Sequence, residues 1–223
     1  FMVAAILATN LLTMKVGHRI SWDIFAHTFM LGALWALLDA IRNDRRWPAF
    51  VISGTLMGLS FMSKGPVSFF SLLLPFALSY LWIFKFGELK NKGQLILLAF
   101  LVCLFISIPW PLYIWVFHPE ALLTMVSDES GAWVNKHVQP FWYYSDFPLY
   151  SGLWLVVAIA VLMKPFAEKR FKSIQEYQFL LLWLILGILL LSLMPEKKTR
   201  YLLPVAIPLA LLCGTFFRAI MAN

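Results

Sequence analysis

The sequence predicts an all-α fold, a polytopic bundle of transmembrane helices, on three observations. Of its 223 residues, 61% are hydrophobic, 17% are aromatic and only 13% are charged, too few charges for an ordinary water-facing surface. The apolar residues gather into eight runs, most of them long enough, or nearly so, to cross roughly 30 Å of hydrocarbon as a helix. Between the runs, connections rich in Lys and Arg alternate with connections that hold fewer. An open chain satisfies its backbone in a bilayer only as helix, so the runs are read as about eight spans.

The first run, "FMVAAILATNLLTM", would rise only about 21 Å as a helix, so its beginning is expected upstream and the sequence is read as part of a longer polytopic protein. The runs that follow are 24–41, 47–62, 67–86, 95–117, 151–163, 177–194 and 201–217. The 151–163 run reaches spanning length when Phe147 and Tyr150 extend it. Gly54 and Gly58 form a G-x-x-x-G pair that lets helices approach closely. Pro109 and Pro111 disturb the end of the 95–117 run. Cys103 and Cys213 lie inside apolar runs without metal or redox spacing and read as small buried hydrophobes. Residues 1–223 are taken as one transmembrane region with a long loop at 118–150.

Sidedness follows from the cations. The gaps "RNDRR", "KFGELKNK" and "KPFAEKRFK", with Arg218, hold eleven of the eighteen Lys and Arg residues and are assigned to the cytoplasm. The other face receives "KVGHRISWD", "SKGP", the 118–150 loop and "PEKKTR". Seven cations on that outer face, several tight against span ends, call for an anion such as a lipid phosphate or neighbouring carboxylates; interfacial snorkelling is the plainer account. The charge of +7 is too scattered for a nucleic-acid patch.

Four stretches carry candidate chemistry. Asp23 opens a span and reads as a general base, although Ser21 or Asp23 would also serve as a helix N-cap. In "FMSKGPVSFF", Gly65 and Pro66 break the helix and leave Lys64 beside the first turn of the next one, a compact phosphate site. The long loop gathers His118, Glu120, Asp128, Glu129, Lys136, His137 and Asp146, and its "PFWYY" also fits an aromatic belt. In "KKTRYLLP", Arg200 can grip a phosphate bidentately, Lys197 and Lys198 add charge, and Tyr201 offers a hydroxyl. These residues single out no cofactor; a divalent metal is left open, although the histidines lack a third nearby ligand at zinc spacing.

With "HRISWD", "FMSKGPV", "QPFWYY" and "KTRYLLPVAIPLALL" in this order, the chain resembles the C-superfamily membrane glycosyltransferases of the protein mannosyltransferase and aminoarabinose transferase type. The resemblance implies transfer of a sugar from a polyprenyl-phosphate donor to a lipid or protein acceptor on the extracytoplasmic side of the cell (inner) membrane. It makes Asp23 the second acidic residue of the active site, Lys64 a donor-phosphate contact and Tyr201 part of the donor cavity. Arg19, Lys197 and Arg200 join the phosphate contacts, and His137 and Glu129 the cavity. The family's principal catalytic acid is expected upstream of Phe1, so the piece by itself is expected to be inactive. A transporter or lipid-flipping protein with an outward basic ring is the rival class; such proteins place ionisable groups near the midplane, where this chain has none apart from His27, near the outer end of its helix.

Overall fold

The computed structural model describes residues 1–18, 21–43, 47–85, 87, 89, 92–135, 137–163, 171 and 173–221. In chain order the helices are α1 (Met2–Thr9), α2 (Leu11–Gly17), α3 (Trp22–Arg42), α4 (Trp47–Lys64), α5 (Leu74–Phe84), α6 (Gly93–Ser107), α7 (Pro109–Phe117), α8 (Pro119–Asn135), α9 (Leu155–Leu162), α10 (Ile174–Leu193) and α11 (Leu203–Met221). A π-helical turn, Phe69–Leu73, leads into α5, and 3-10 turns occupy Phe141–Tyr144, Phe147–Trp154 and Thr199–Leu202. Five segments are long and apolar enough to cross a membrane: Trp22–Arg42, Gly93–Phe117, Phe141–Leu162, Ile174–Leu193 and Thr199–Met221. The apolar helix Phe69–Phe84 is shorter, and α4 has 18 residues. The chain is therefore a polytopic helical membrane protein.

Two expectations change. The first run is not one helix: Asn10 turns extended (φ −65°, ψ 133°) and its side-chain oxygen accepts the Leu12 N–H at 2.9 Å, ending α1 and capping α2. A short amide side chain offers the backbone an alternative to the helix ladder, which outweighs the apolar neighbours. The 118–150 stretch is largely helical rather than loop, because Pro119 starts a helix without wasting an N–H and "EALLTMV" continues it.

The chain divides into two compact units. In the unit of Trp22–Leu73 and Phe84–Lys136, α3 and α4 are antiparallel, with the Ser53 hydroxyl donating to the Ala33 carbonyl (2.9 Å) and Ser60 to Ala26 (2.7 Å). Those bonds satisfy buried hydroxyls across the helix pair. On its other side α4 meets α6 at almost backbone contact. A Cβ on Gly54 would fall 2.2 Å from the Ala99 carbonyl oxygen, and one on Gly58 2.7 Å from Ile106 Cβ.

In the unit of Phe1–Ser21, Leu74–Ile83 and His137–Asn223, α11 is the core helix, buried along most of its length. It packs on α10 and α1, and a Cβ on Gly214 would fall 2.4 Å from Val3 Cγ2. Phe76 and Tyr80 of α5 interlock edge-on with Phe179 and Trp183 of α10, with the Phe76 and Trp183 rings 5.1 Å apart. The buried Tyr177 hydroxyl donates to the Val161 carbonyl at 3.0 Å, joining α10 to α9.

Candidate active site

Antiparallel packing brings the start of α3 to the end of α4, and with them two groups 41 residues apart in sequence. Asp23, in the first turn of α3, forms an ion pair and hydrogen bond with the Lys64 ammonium in the last turn of α4. The carboxylate side is 2% exposed and the lysine 26%, so one partner is sheltered and the other reaches toward the surface. Each end is favoured electrostatically, the carboxylate at a helix N-terminus and the cation at a C-terminus. Gly65 then closes α4 in the left-handed region (φ 65°), its N–H donating to the Phe61 carbonyl at 2.6 Å. One turn along α3 from Asp23, buried His27 meets buried Ser68 at 3.1 Å through Nδ1.

The second cluster is built in the other unit by two segments far apart in sequence. His137 and Gln139 pair with Pro195 and Lys197 in a short antiparallel contact: the Gln139 N–H donates to the Pro195 carbonyl (3.3 Å) and the Lys197 N–H to the His137 carbonyl (3.1 Å). His137 adopts φ 52° to enter that pairing. Glu196, buried at its centre, pairs with the Lys198 ammonium through Oε1 and accepts the Tyr201 hydroxyl at 2.9 Å through Oε2. The Tyr144 hydroxyl accepts the Lys198 N–H at 3.2 Å and lies 3.3 Å from its carbonyl. The Tyr201 ring has the Arg200 guanidinium 5.5 Å and the Lys198 ammonium 5.8 Å from its centre.

Burial pushes the Glu196 carboxyl upward, but the hydrogen bonds from Lys198 and Tyr201 outweigh it and hold the group below its ordinary value. For Lys198, burial acts downward and the Glu196 hydrogen bond upward, and the result is a raised value. A depressed carboxylate adds stability that is present above its unfolded value, about 4.3, and disappears as pH falls through the lower folded value. Thermal unfolding of the purified protein should therefore lose stability more steeply in the native chain than in Glu196→Gln as pH falls below about 4.3. Parallel curves would mean the carboxylate is not so held.

The sequence-derived candidates fall as follows. Asp23 and Lys64 are joined directly. Tyr201 and Arg200 belong to the Glu196 cluster, and His137 contributes its backbone there. Lys197, expected on a phosphate, is 4% exposed and donates instead to the carbonyls of Gln139 (2.9 Å) and Met194 (2.6 Å), capping the end of α10. Burial pushes its ammonium below the ordinary lysine value. Arg19 and the side chain of Glu129 lie outside the described residues. Sequence reasoning missed Glu196 as the hub and Tyr144 as its strap; the one available signal was a single acid among three cations. Among the described residues, no three of His, Cys, Asp and Glu gather as a metal-holding group.

Comparison with known proteins adds three findings. The model of the dolichyl-phosphate-mannose-protein mannosyltransferase family matches residues 1–115. Undecaprenyl phosphate-alpha-4-amino-4-deoxy-L-arabinose arabinosyl transferase 2 of Pseudomonas fluorescens is 33% identical over 198 residues, 83% of this chain and 32% of the relative. The corresponding transferase of Pseudomonas aeruginosa is 32% identical over 198 residues, 82% of this chain and 33% of its own. The chain thus spans about a third of the length of the curated relatives it matches. A crystal structure of ArnT from Cupriavidus metallidurans bound to undecaprenyl phosphate superimposes with a TM-score of 0.73 at 19% identity, over 99% of this chain and 43% of that one. The fold is common to both.

Proposed function

Since the chain belongs to the dolichyl-phosphate-mannose-protein mannosyltransferase family, we propose that it forms part of a glycosyltransferase moving a sugar from a polyprenyl-phosphate donor to a lipid or protein acceptor. The arabinosyl transferases at about a third identity favour undecaprenyl phosphate as the carrier and an aminopentose as the sugar. The observation that carries the reading is the Asp23–Lys64 pair, a carboxylate and an ammonium at adjoining helix ends.

As the glycosidic bond loosens, the leaving lipid phosphate gains negative charge. Fixed cations in a partly dry site stabilise that charge most in the transition state. Lys64 takes this role; Arg200, beside Tyr201 in its own unit, is a separate candidate for an anion contact. Asp23 orients and deprotonates the acceptor while the sugar passes through an oxocarbenium-like state. Because Lys64 and Asp23 are partners before the donor arrives, a phosphate that takes the ammonium also weakens its hold on the carboxylate. Tyr201, oriented by Glu196, lines the donor cavity. The alternation of cation-rich connections supports an extracytoplasmic site in the cell membrane, with membrane lipid as its surroundings.

The test uses the full-length enzyme in membranes and radiolabelled undecaprenyl-phosphate aminoarabinose, with the mannose-bearing donor in parallel. Arg200→Ala should lower transfer by roughly ten- to a hundredfold, the loss of one charge-assisted anion contact, with membrane insertion intact. An unchanged rate would remove Arg200 from the donor site. Transfer from neither donor by the native enzyme would end the reading.

A further inference from the structure

We propose that His27 is a positioning residue for the Asp23–Lys64 pair, acting through Ser68; the inference rests on the glycosyltransferase reading for its kinetic consequence and on geometry alone for its structural one. Asp23 and His27 are four residues apart on α3 and so share one face, about 6 Å apart along the axis. Each holds one arm of the same turn. Asp23 takes Lys64, immediately before Gly65–Pro66, and His27 takes Ser68, immediately after it, at 3.1 Å. The turn is thereby fastened to α3 at both ends.

The second arm needs the fastening. From Phe69 to Leu73 the backbone is π-helical, a conformation that ordinary α-helix would replace by shifting the register of what precedes it. Within that turn Ser71 is 4% exposed and its hydroxyl has no hydrogen-bond partner, so the segment is not held there by its own polar groups. A side chain at the left-handed Gly65 would meet nothing within 4 Å, and the packing across the turn is the edge-on contact of the Phe61 and Phe69 rings, 6.1 Å between centres. The His27–Ser68 bond is the buried polar contact that sets where the second arm begins, and through Pro66 and Gly65 where Lys64 stands.

The experiment compares His27→Leu, Ser68→Ala, their double variant and His27→Asn in the full-length enzyme. The Asn amide reaches the position of Nδ1 and keeps the bond. Losing one buried hydrogen bond should cut kcat/KM for the polyprenyl-phosphate sugar about fivefold in each single variant. The double variant should fall no further, and His27→Asn should stay within about twofold of native. Amide hydrogen exchange across residues 61–70 should quicken in His27→Leu and Ser68→Ala and not in His27→Asn. Additive losses in the double variant, or native exchange in His27→Leu, would overturn the proposal. If the native enzyme transfers no sugar, the functional reading falls while the exchange comparison still decides the positioning role.

Discussion

Lys64→Met in the full-length enzyme is expected to reduce sugar transfer about a hundredfold or more, the scale of losing a fixed charge at a transition-state anion. It should also lower stability. The Asp23 carboxylate is 2% exposed, and removing the cation from a buried pair costs about 3–5 kcal/mol; because the lysine is 26% exposed, water offsets part of this, and about 2 kcal/mol is expected. Asp23→Asn with Lys64→Met removes both charges and should recover most of the stability while recovering none of the transfer. Thermal unfolding and radiolabel transfer on the same preparations separate the two effects. Recovery of transfer in the double variant would show that the pair is structural only.

Gly54→Val should prevent the α4–α6 packing altogether. Its Cβ would lie 2.2 Å from the Ala99 carbonyl oxygen and 3.0 Å from Val102 Cβ, and the obstructing atom is backbone, which cannot rotate aside. Overpacking of this kind costs about 3 kcal/mol or more, a large share of a marginal total stability. The expected readout is loss of monodisperse protein after extraction, whereas Gly93→Ala, with nothing within 4 Å, should extract like the native chain. Equal yields would mean that α4 and α6 do not meet at Gly54.

What was legible in the sequence is what depends on local pattern. Apolar runs fix helices, because hydrocarbon leaves the backbone one solution. Asp23, Lys64 and the Gly65 turn were visible since each lies at a span boundary, where a charge or a helix breaker stands out. The Asn10 break was hidden by its apolar neighbours. Glu196 was hidden by the cations around it, since a lone acid between Pro195 and Lys197 reads as part of a charged connection. Its role comes from the Tyr201 hydroxyl, five residues on, and from tertiary pairing of its segment with residues 137–139, some 58 residues away, as Lys197 to Gln139 measures it. The same holds for Tyr144, which belongs by pattern to an aromatic belt and by contact to the backbone of Lys198. His27 and Ser68, 41 residues apart, carry no shared motif and are joined only when α3 meets the turn after α4.

Sidedness is the claim on which the proposed chemistry turns, and site-directed labelling measures it directly. In intact cells producing the full-length protein with Cys103 and Cys213 replaced by serine, a membrane-impermeant maleimide would be offered to Pro66→Cys, Pro195→Cys and Lys85→Cys, all at exposed positions. Labelling of positions 66 and 195 from outside, with position 85 reacting only after lysis, is the expected result. Positions 66 and 195 reacting from opposite faces of the membrane would contradict it.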